Sequence, residues 1–103
     1  MALVAPLKFA PFNRLADTEE PQVVAGVAGE HVRLPRATHE ALAAYVASGM
    51  LAAAQDHDVG GLQLPCVVEM AANAFFSKAS VALAAYGMLT SGNANLLMAH
   101  GTP

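Results

Sequence analysis

The C-terminal two thirds of the chain carries almost no charge, and this depletion limits most strongly what the chain can fold into. Between Ala41 and Pro103 the Asp, Glu, Lys and Arg residues are Asp56, Asp58, Glu69 and Lys78, and there are no others. Charged residues make up 13% of the whole chain, whereas an ordinary globular protein has about 25%. So few charges cannot give a free-standing helical domain its usual polar coat. We therefore expect part of this region to face another domain or subunit.

Length and composition exclude several classes of protein. A chain of 103 residues predicts one domain or part of one. Its uncharged runs are rich in Ala, Gly, Ser and Asn, so none gives the ~18 strongly apolar residues of a membrane span. The net charge of −3 argues against binding to nucleic acid or anionic lipid. The start, MALVAPLKFAPFNR, lacks the order of a signal peptide, and one cysteine gives no disulfide framework, so we expect a cytoplasmic protein.

Residues 1–36 are predicted to form an extended arm or linker. Four prolines interrupt any long helix there, namely Pro6, Pro11, Pro21 and Pro35. The segment from Gln22 to Pro35 is rich in β-branched residues and contains two glycines. This pattern predicts extended chain, with a short hairpin as one arrangement of it.

Residues 37–103 are predicted to form a helical bundle, so the expected fold is all-α, with three to four helices behind the arm. Thr38 can cap the first helix, and Gly60-Gly61 interrupt the chain before Pro65 begins the next helix. On that second helix one stripe of apolar and small residues is expected, made of Val68, Ala71, Ala72, Phe75 and Ala79. A bend at residues 78–80 then separates it from a helix over Val81–Leu89. Thr90-Ser91-Gly92 is expected to end that helix, and a last short helix follows, with Asn93, Leu96, Leu97 and His100 on one side.

No pattern of polar residues in the sequence predicts a catalytic site. His57 lies between Asp56 and Asp58, but adjacent side chains do not converge on one ion and no partner stands at helical spacing, so we expect a solvated loop and no metal. Cys66 follows Pro65 at a helix start, a position that favours a nucleophilic thiolate. Its apolar neighbours favour instead a small buried side chain. No phosphate-binding loop and no nucleophile elbow occur.

Three motifs, in order, resemble one enzyme family. The segment Asp58-Val59-Gly60-Gly61-Leu62-Gln63-Leu64-Pro65 is similar to the Gly-Gly-x-Gly-Leu-Pro turn in the N-terminal helical domain of acyl-CoA dehydrogenases. Tyr86-Gly87-Met88-Leu89-Thr90-Ser91-Gly92, followed by Ala99-His100-Gly101-Thr102-Pro103, is similar to a PMLT-x-G … HGT helix pair of one branch of that family. Phe9-Ala10-Pro11-Phe12-Asn13-Arg14, with Asp17, resembles the end of the opening helices. The chain departs from the family at Asp58, where glutamate is usual, at Gln63, where glycine is usual, and at Gly87, where proline is common.

The resemblance implies a part of a larger FAD enzyme, since the chain would span about a fifth of such a protein. In the family, a glutamate takes the α-proton of an acyl-CoA thioester and the flavin takes the β-hydride. The flavin-binding segments and the glutamate base have no match in this chain. The resemblance therefore implies FAD and acyl-CoA in the parent protein, but neither a bound cofactor nor a catalytic residue in this chain alone.

The family's N-terminal domain walls the acyl pocket with the helix that matches Val81–Thr90. By this resemblance the substrate-lining residues are Leu83, Tyr86, Met88, Leu89 and Thr90, with packing in the bundle core as the equal alternative. The remaining domains, or a subunit of a homo-oligomer, are the expected partners. A different class of function stays open, namely a non-catalytic helical module that self-associates through the small-residue stripe.

Overall fold

The chain folds into four α-helices and one two-stranded sheet within residues 3–102, the part that the computed structural model describes. The helices and strands are α1 (Asn13–Thr18), β1 (Gln22–Gly26), β2 (Gly29–Arg33), α2 (Arg36–Ala47), α3 (Cys66–Ala79) and α4 (Val81–His100). Residues 1, 2 and 103, which begin the predicted arm and end the last motif, lie outside the described part. The predicted helical fold is confirmed for most of the chain. The two strands form a hairpin, which the expected all-α class does not include.

Residues 5–18 are not extended as predicted but form consecutive short helical segments. A π-helical turn spans Ala5–Phe9, a 3-10 turn spans Ala10–Phe12, and α1 follows without a break. Pro6 and Pro11 each stand in the first positions of a helical segment, where a missing N–H group costs no hydrogen bond. These prolines therefore divide the helical path into segments and do not prevent it.

The hairpin is the part of the arm that the sequence predicted as extended chain. β1 and β2 pair antiparallel, with Val23 opposite Val32 and Gly26 opposite Gly29. Gly29 has a φ of +110°, a left-handed conformation that glycine adopts without strain, and this lets the two strands join through a short turn. Both strands are largely exposed on both faces, so the hairpin adds little to the core.

The core is organised by three aromatic rings from three parts of the chain. Phe9, Tyr45 and Phe76 come from the N-terminal helical turn, α2 and α3, and all three are buried. The Phe76 ring lies 4.9 Å from each of the other two rings in edge-to-face geometry. The Tyr45 hydroxyl donates a hydrogen bond to Asn73 Oδ1 at 3.0 Å, so burying the ring leaves its polar end satisfied.

In α3 the buried aromatic residue is Phe76, whereas Phe75 of the predicted stripe is 69% exposed. One expectation for α4 is wrong. The predicted break at Thr90-Ser91-Gly92 is absent, since α4 runs unbroken from Val81 to His100. Thr90 Oγ1 donates to the Tyr86 carbonyl at 2.8 Å, one turn earlier in the same helix, and Ser91 Oγ donates to the Leu51 carbonyl at 3.1 Å. Both hydroxyls therefore bond without opening the helix.

α2 and α3 each begin directly after a proline. Pro35 precedes α2 and Pro65 precedes α3, and both prolines have extended backbone. Thr38, the expected cap of the first bundle helix, lies inside α2, where its N–H donates to the Pro35 carbonyl at 3.0 Å. The bend predicted at residues 78–80 is confirmed: Ser80 alone is extended between α3 and α4, and its buried Oγ accepts the N–H of Leu83.

The molecule is a thin slab with an unusually large surface. Its extents are 39 × 35 × 17 Å, and a helix with its side chains is about 10 Å across, so fewer than two helix layers fit in the shortest dimension. The radius of gyration is 15.0 Å, against about 13 Å for a compact domain of this length. The accessible surface is 7198 Å², whereas a monomeric protein of this mass exposes about 5,500 Å². The excess is consistent with a chain that packs against something further.

We expect Gly87→Ala to destabilise the fold by about 1–3 kcal/mol, because overpacking a buried contact outweighs the helix propensity that alanine gains. A Cβ atom at Gly87 would lie 2.7 Å from Cε1 and 3.0 Å from Cζ of the buried Tyr45 ring. Urea denaturation measures the free energy of unfolding. The matched control is Gly92→Ala on the same helix, where a Cβ atom meets nothing, and there we expect a gain of about 0.5–1 kcal/mol. Equal effects of the two substitutions would contradict the packing at Tyr45.

We expect the free energy of unfolding to fall as the pH rises above about 10. Burial raises the pKa of the Tyr45 hydroxyl above its ordinary value, and the negative charge of Glu69 adds to the effect. The unfolded chain therefore loses this proton at a lower pH than the folded chain, so the stabilisation is complete below pH 10 and is lost through the pKa of the folded state. Tyr45→Phe should flatten this dependence.

The direct measurement of this shift uses Tyr86→Phe, which leaves Tyr45 as the one tyrosine in a chain that has two. Its tyrosinate absorbance in the folded chain should have a midpoint above that of the same variant in urea. Coincident midpoints would show that Tyr45 is not buried.

Candidate functional site

A small recess lies where the first half of α4 faces α1 and the start of α2. Its volume is about 120 Å³. Leu83 and Tyr86 of α4 form one side, and Pro35 and Thr38 form the other, with Ala16 and Glu19 at its edge. Ligand sites that enclose a small molecule have volumes of about 300–1,000 Å³. The recess is therefore one wall of a larger site at most, because it cannot enclose a ligand by itself.

The five predicted substrate-lining residues do not all lie on this side of α4. Leu83, Tyr86 and Thr90 stand at i, i+3 and i+7 and so share one face of the helix. Leu83 is buried and packs in the core cluster, whereas Tyr86 is partly exposed at the recess. Met88 and Leu89 are each 65% exposed and do not line the recess. The structure thus brings Leu83 and Tyr86 together, and Met88 and Leu89 lie apart from them.

The Gly-Gly turn is built around two different requirements for glycine. Gly60 has a φ of +84°, which ends the 3-10 turn His57–Val59 in a left-handed conformation. Gly61 is buried, and a Cβ atom there would overlap the backbone carbonyl of Gln55. Its N–H donates to the Asp56 carbonyl at 2.9 Å. The first glycine is needed for its backbone angle and the second for its lack of a side chain.

Gln63 is held in the same turn with a left-handed backbone. Its φ is +51°, and among residues 3–102 it is the non-glycine residue with a positive φ. Its N–H donates to the Gln55 carbonyl at 2.9 Å, and the next residue, Leu64, donates to the Ala53 carbonyl at 2.8 Å. These bonds fix the backbone on both sides of a conformation that costs an L-residue about 1–2 kcal/mol. A glycine at position 63 would adopt it without that cost.

A larger polar groove beside the recess was not predicted from the sequence. Its volume is about 780 Å³, and it shares Pro35 and Glu19 with the recess. The other residues that line it come from α1, the hairpin and α2, and they are Thr18, Glu20, Gln22, Arg33, Leu34, Arg36 and His39. Arg33 donates to Gln22 Oε1 at 2.9 Å. The groove could not be seen in the sequence because residues up to 21 positions apart line it, and no motif joins them.

The residues that first suggested chemistry lie apart from one another. His57 is exposed in its loop as predicted, with Nδ1 3.0 Å from the Gly61 carbonyl oxygen. Cys66 is exposed at the start of α3, so the expectation of a buried thiol is wrong.

Within residues 3–102 no group of three His, Cys, Asp or Glu side chains is arranged to hold a metal ion. In the same part of the chain, no helix has the length and apolar character needed to cross a membrane.

We expect Gln63→Gly to stabilise the fold by about 1 kcal/mol, because glycine removes the strain of the left-handed conformation at a smaller cost in chain entropy. Gln63→Ala keeps the strain and is the matched control, for which we expect no gain. Thermal and urea denaturation of the two variants measure the difference. A Gln63→Gly variant that is no more stable than Gln63→Ala would show that the turn does not hold position 63 at a positive φ.

The comparisons with known proteins find no relative of this chain. No protein-family model, no curated protein and no solved structure matches the chain.

Proposed function

We propose that this chain is the N-terminal helical domain, or part of that domain, of an acyl-CoA dehydrogenase-like flavoprotein oxidoreductase. The observation that supports it most is the backbone of Gln63. The family's turn has the pattern Gly-Gly-x-Gly-Leu-Pro, and position 63 stands where the third glycine is usual. The positive φ of Gln63 is the conformation for which a glycine is selected. This supports the proposal, because the backbone at position 63 suits the glycine that is usual there in the family's pattern.

The role proposed for the chain is to form one wall of the acyl-CoA pocket. The recess is apolar on its α4 side, through Leu83 and the Tyr86 ring. Thr90 lies one turn after Tyr86, and its hydroxyl is bonded within the helix, which leaves its methyl group for contact with a substrate. Met88 and Leu89 lie off this face, so the wall that we propose is formed by Leu83, Tyr86 and Thr90.

The cofactor and the reaction belong to the rest of the proposed parent protein. The polar groove is lined by two carboxylates, Glu19 and Glu20, and by two guanidinium groups, Arg33 and Arg36, and none of its lining residues is a Phe, Tyr or Trp that could stack on a flavin. It therefore does not fit FAD, and we assign no flavin-binding or catalytic residue to this chain. In this proposal the protein is cytoplasmic, and the charge-poor helices are covered by the remaining domains of the protein or by another subunit.

We expect the purified chain of 103 residues to hold no flavin and to oxidise no acyl-CoA. We also expect its gene, or a neighbouring gene, to encode a flavin domain and a helical bundle with a glutamate base. The complete product should purify with flavin absorbance and reduce an electron acceptor in the presence of a fatty acyl-CoA. Flavin bound tightly to the isolated chain, or a genome without such a domain in either place, would overturn the proposal.

Two tryptophan variants of the complete product test the wall itself. Tyr86→Trp enlarges a side chain in the recess and should shift the preference towards shorter acyl chains, mainly by raising KM for long ones. Met98→Trp is the matched control, because Met98 is exposed near the end of α4, away from the recess. The same acyl-chain preference in both variants would mean that the recess does not contact the substrate.

A further inference from the structure

The polar groove between α1, the hairpin and α2 has no part in the proposed function. Its volume of about 780 Å³ lies within the range of about 300–1,000 Å³ for sites that hold a small molecule. Four of its lining residues carry full charges, namely Glu19, Glu20, Arg33 and Arg36. The groove therefore presents both signs of charge in equal number to whatever enters it.

The four charges of the groove are not paired with one another. Among residues 3–102 the ion pair of the structure joins Lys8 and Glu40 at 2.8 Å. Glu40 stands one turn after Arg36 on α2, but its carboxylate accepts the hydrogen bond of Lys8. The glutamates of the groove belong to the segment between α1 and β1, whereas its arginines end β2 and begin α2. Carboxylates from one segment and guanidinium groups from another are thus both open to a ligand.

Arg33 is held in position by the hairpin. It stands opposite Gln22 in the register of the two strands, and its guanidinium donates to Gln22 Oε1 at 2.9 Å. This bond uses one of five N–H donors, and a guanidinium binds a carboxylate through two parallel bonds. Arg36 is the first residue of α2, where the helix dipole also favours a negative group. The arginine side of the groove therefore suits a carboxylate.

We propose that the polar groove binds a short peptide with free ends, with its carboxylate at Arg33 and Arg36 and its ammonium group at Glu19 and Glu20. A ligand with both charges is needed, because the glutamates repel an anion and the arginines repel a cation. This binding does not rest on the proposed enzymatic parent.

The remaining lining residues favour a peptide over other small molecules. Thr18, Gln22 and His39 add neutral polar groups, which can bond to the amide groups between the two charged ends. The apolar residues of the lining are Leu34 and Pro35, which is too little surface for a long acyl chain. A nucleotide is disfavoured because no lining residue offers a Phe, Tyr or Trp ring on which its base could stack.

Isothermal titration calorimetry of the purified chain with three peptides tests the proposal. The probes are trialanine with free ends, N-acetyl-trialanine and trialanine amide, at pH 7 and low salt. We expect trialanine to bind, and each capped peptide to bind about fivefold more weakly or less, because each lacks one of the two charges. Added salt should weaken the binding of trialanine, since the groove is open to solvent.

Three variants assign the two ends of the peptide. Arg36→Gln should weaken trialanine but leave trialanine amide unchanged, because the amide has no carboxylate to lose. Glu20→Gln should weaken trialanine but leave N-acetyl-trialanine unchanged, because that peptide has no ammonium group. Arg14→Gln is the matched control, since Arg14 is exposed on α1 and does not line the groove. It should bind all three peptides as the wild type does, and circular dichroism checks that each variant keeps its helices.

Two results would overturn the proposal. One is a wild-type chain that does not bind trialanine at millimolar concentration, and the other is a capped peptide that binds as tightly as trialanine. Both are measured on the unaltered chain, so neither depends on whether a variant folds. Equal affinities of the Arg36→Gln and Arg14→Gln variants for trialanine would also exclude the groove as the site.

Discussion

The contact of Phe9, Tyr45 and Phe76 is the interaction on which the rest of the structure depends. These rings join three segments that are far apart in the chain, and Tyr45 also meets the backbone of α4 at Gly87. Edge-to-face pairs contribute about 0.5–1.5 kcal/mol each beyond the area they bury. These rings are the aromatic members of the buried core cluster, so the packing of α2, α3 and α4 against the N-terminal helical turn depends on them.

The two surfaces of α4 explain how a charge-poor helix can have two roles. One side places Leu83 in the core and the Tyr86 ring at the recess, and the other side presents Leu89 and Leu96 to the surroundings. An acyl wall and a subunit contact would therefore use different sides of the same helix and would not compete for it. The absence of Asp, Glu, Lys and Arg along the whole helix suits an element that is covered on both sides.

The sequence predicted the elements whose ends are marked by residues with special backbone properties. Pro65 and the pair Gly60-Gly61 predicted the start of α3 and the turn before it to within one residue, because their conformational limits act locally. The cap of α2 was expected at Thr38 and lies three residues earlier, at Pro35. Charge depletion likewise predicted the exposed apolar surface. It is a property of composition and does not depend on how the helices are arranged.

The rest depended on contacts that the sequence does not encode locally. Phe75 and Phe76 are adjacent, and the ring that becomes buried is the one that meets Phe9 and Tyr45. Thr90 and Ser91 resemble capping residues, but their hydroxyl groups donate hydrogen bonds to the carbonyl oxygens of Tyr86 and Leu51. The polar groove needed three elements to come together. Apart from the bond of Thr90 to Tyr86, which lies within one helix, each of these outcomes depends on a partner that is distant in the sequence, and a local pattern does not identify it.

The single extended residue between α3 and α4 sets how α4 is turned around its own axis. Ser80 allows one change of direction, and the helix then runs for twenty residues from Val81. One residue inserted between Ser80 and Leu83 would turn the remainder of α4 by about 100° around its axis. The side that now packs on Tyr45 would rotate towards solvent, and Leu89 and Leu96 would turn towards the core. Among related chains, we therefore expect this junction to exclude insertions and deletions, and position 80 to keep a small residue whose side chain can accept the N–H of Leu83.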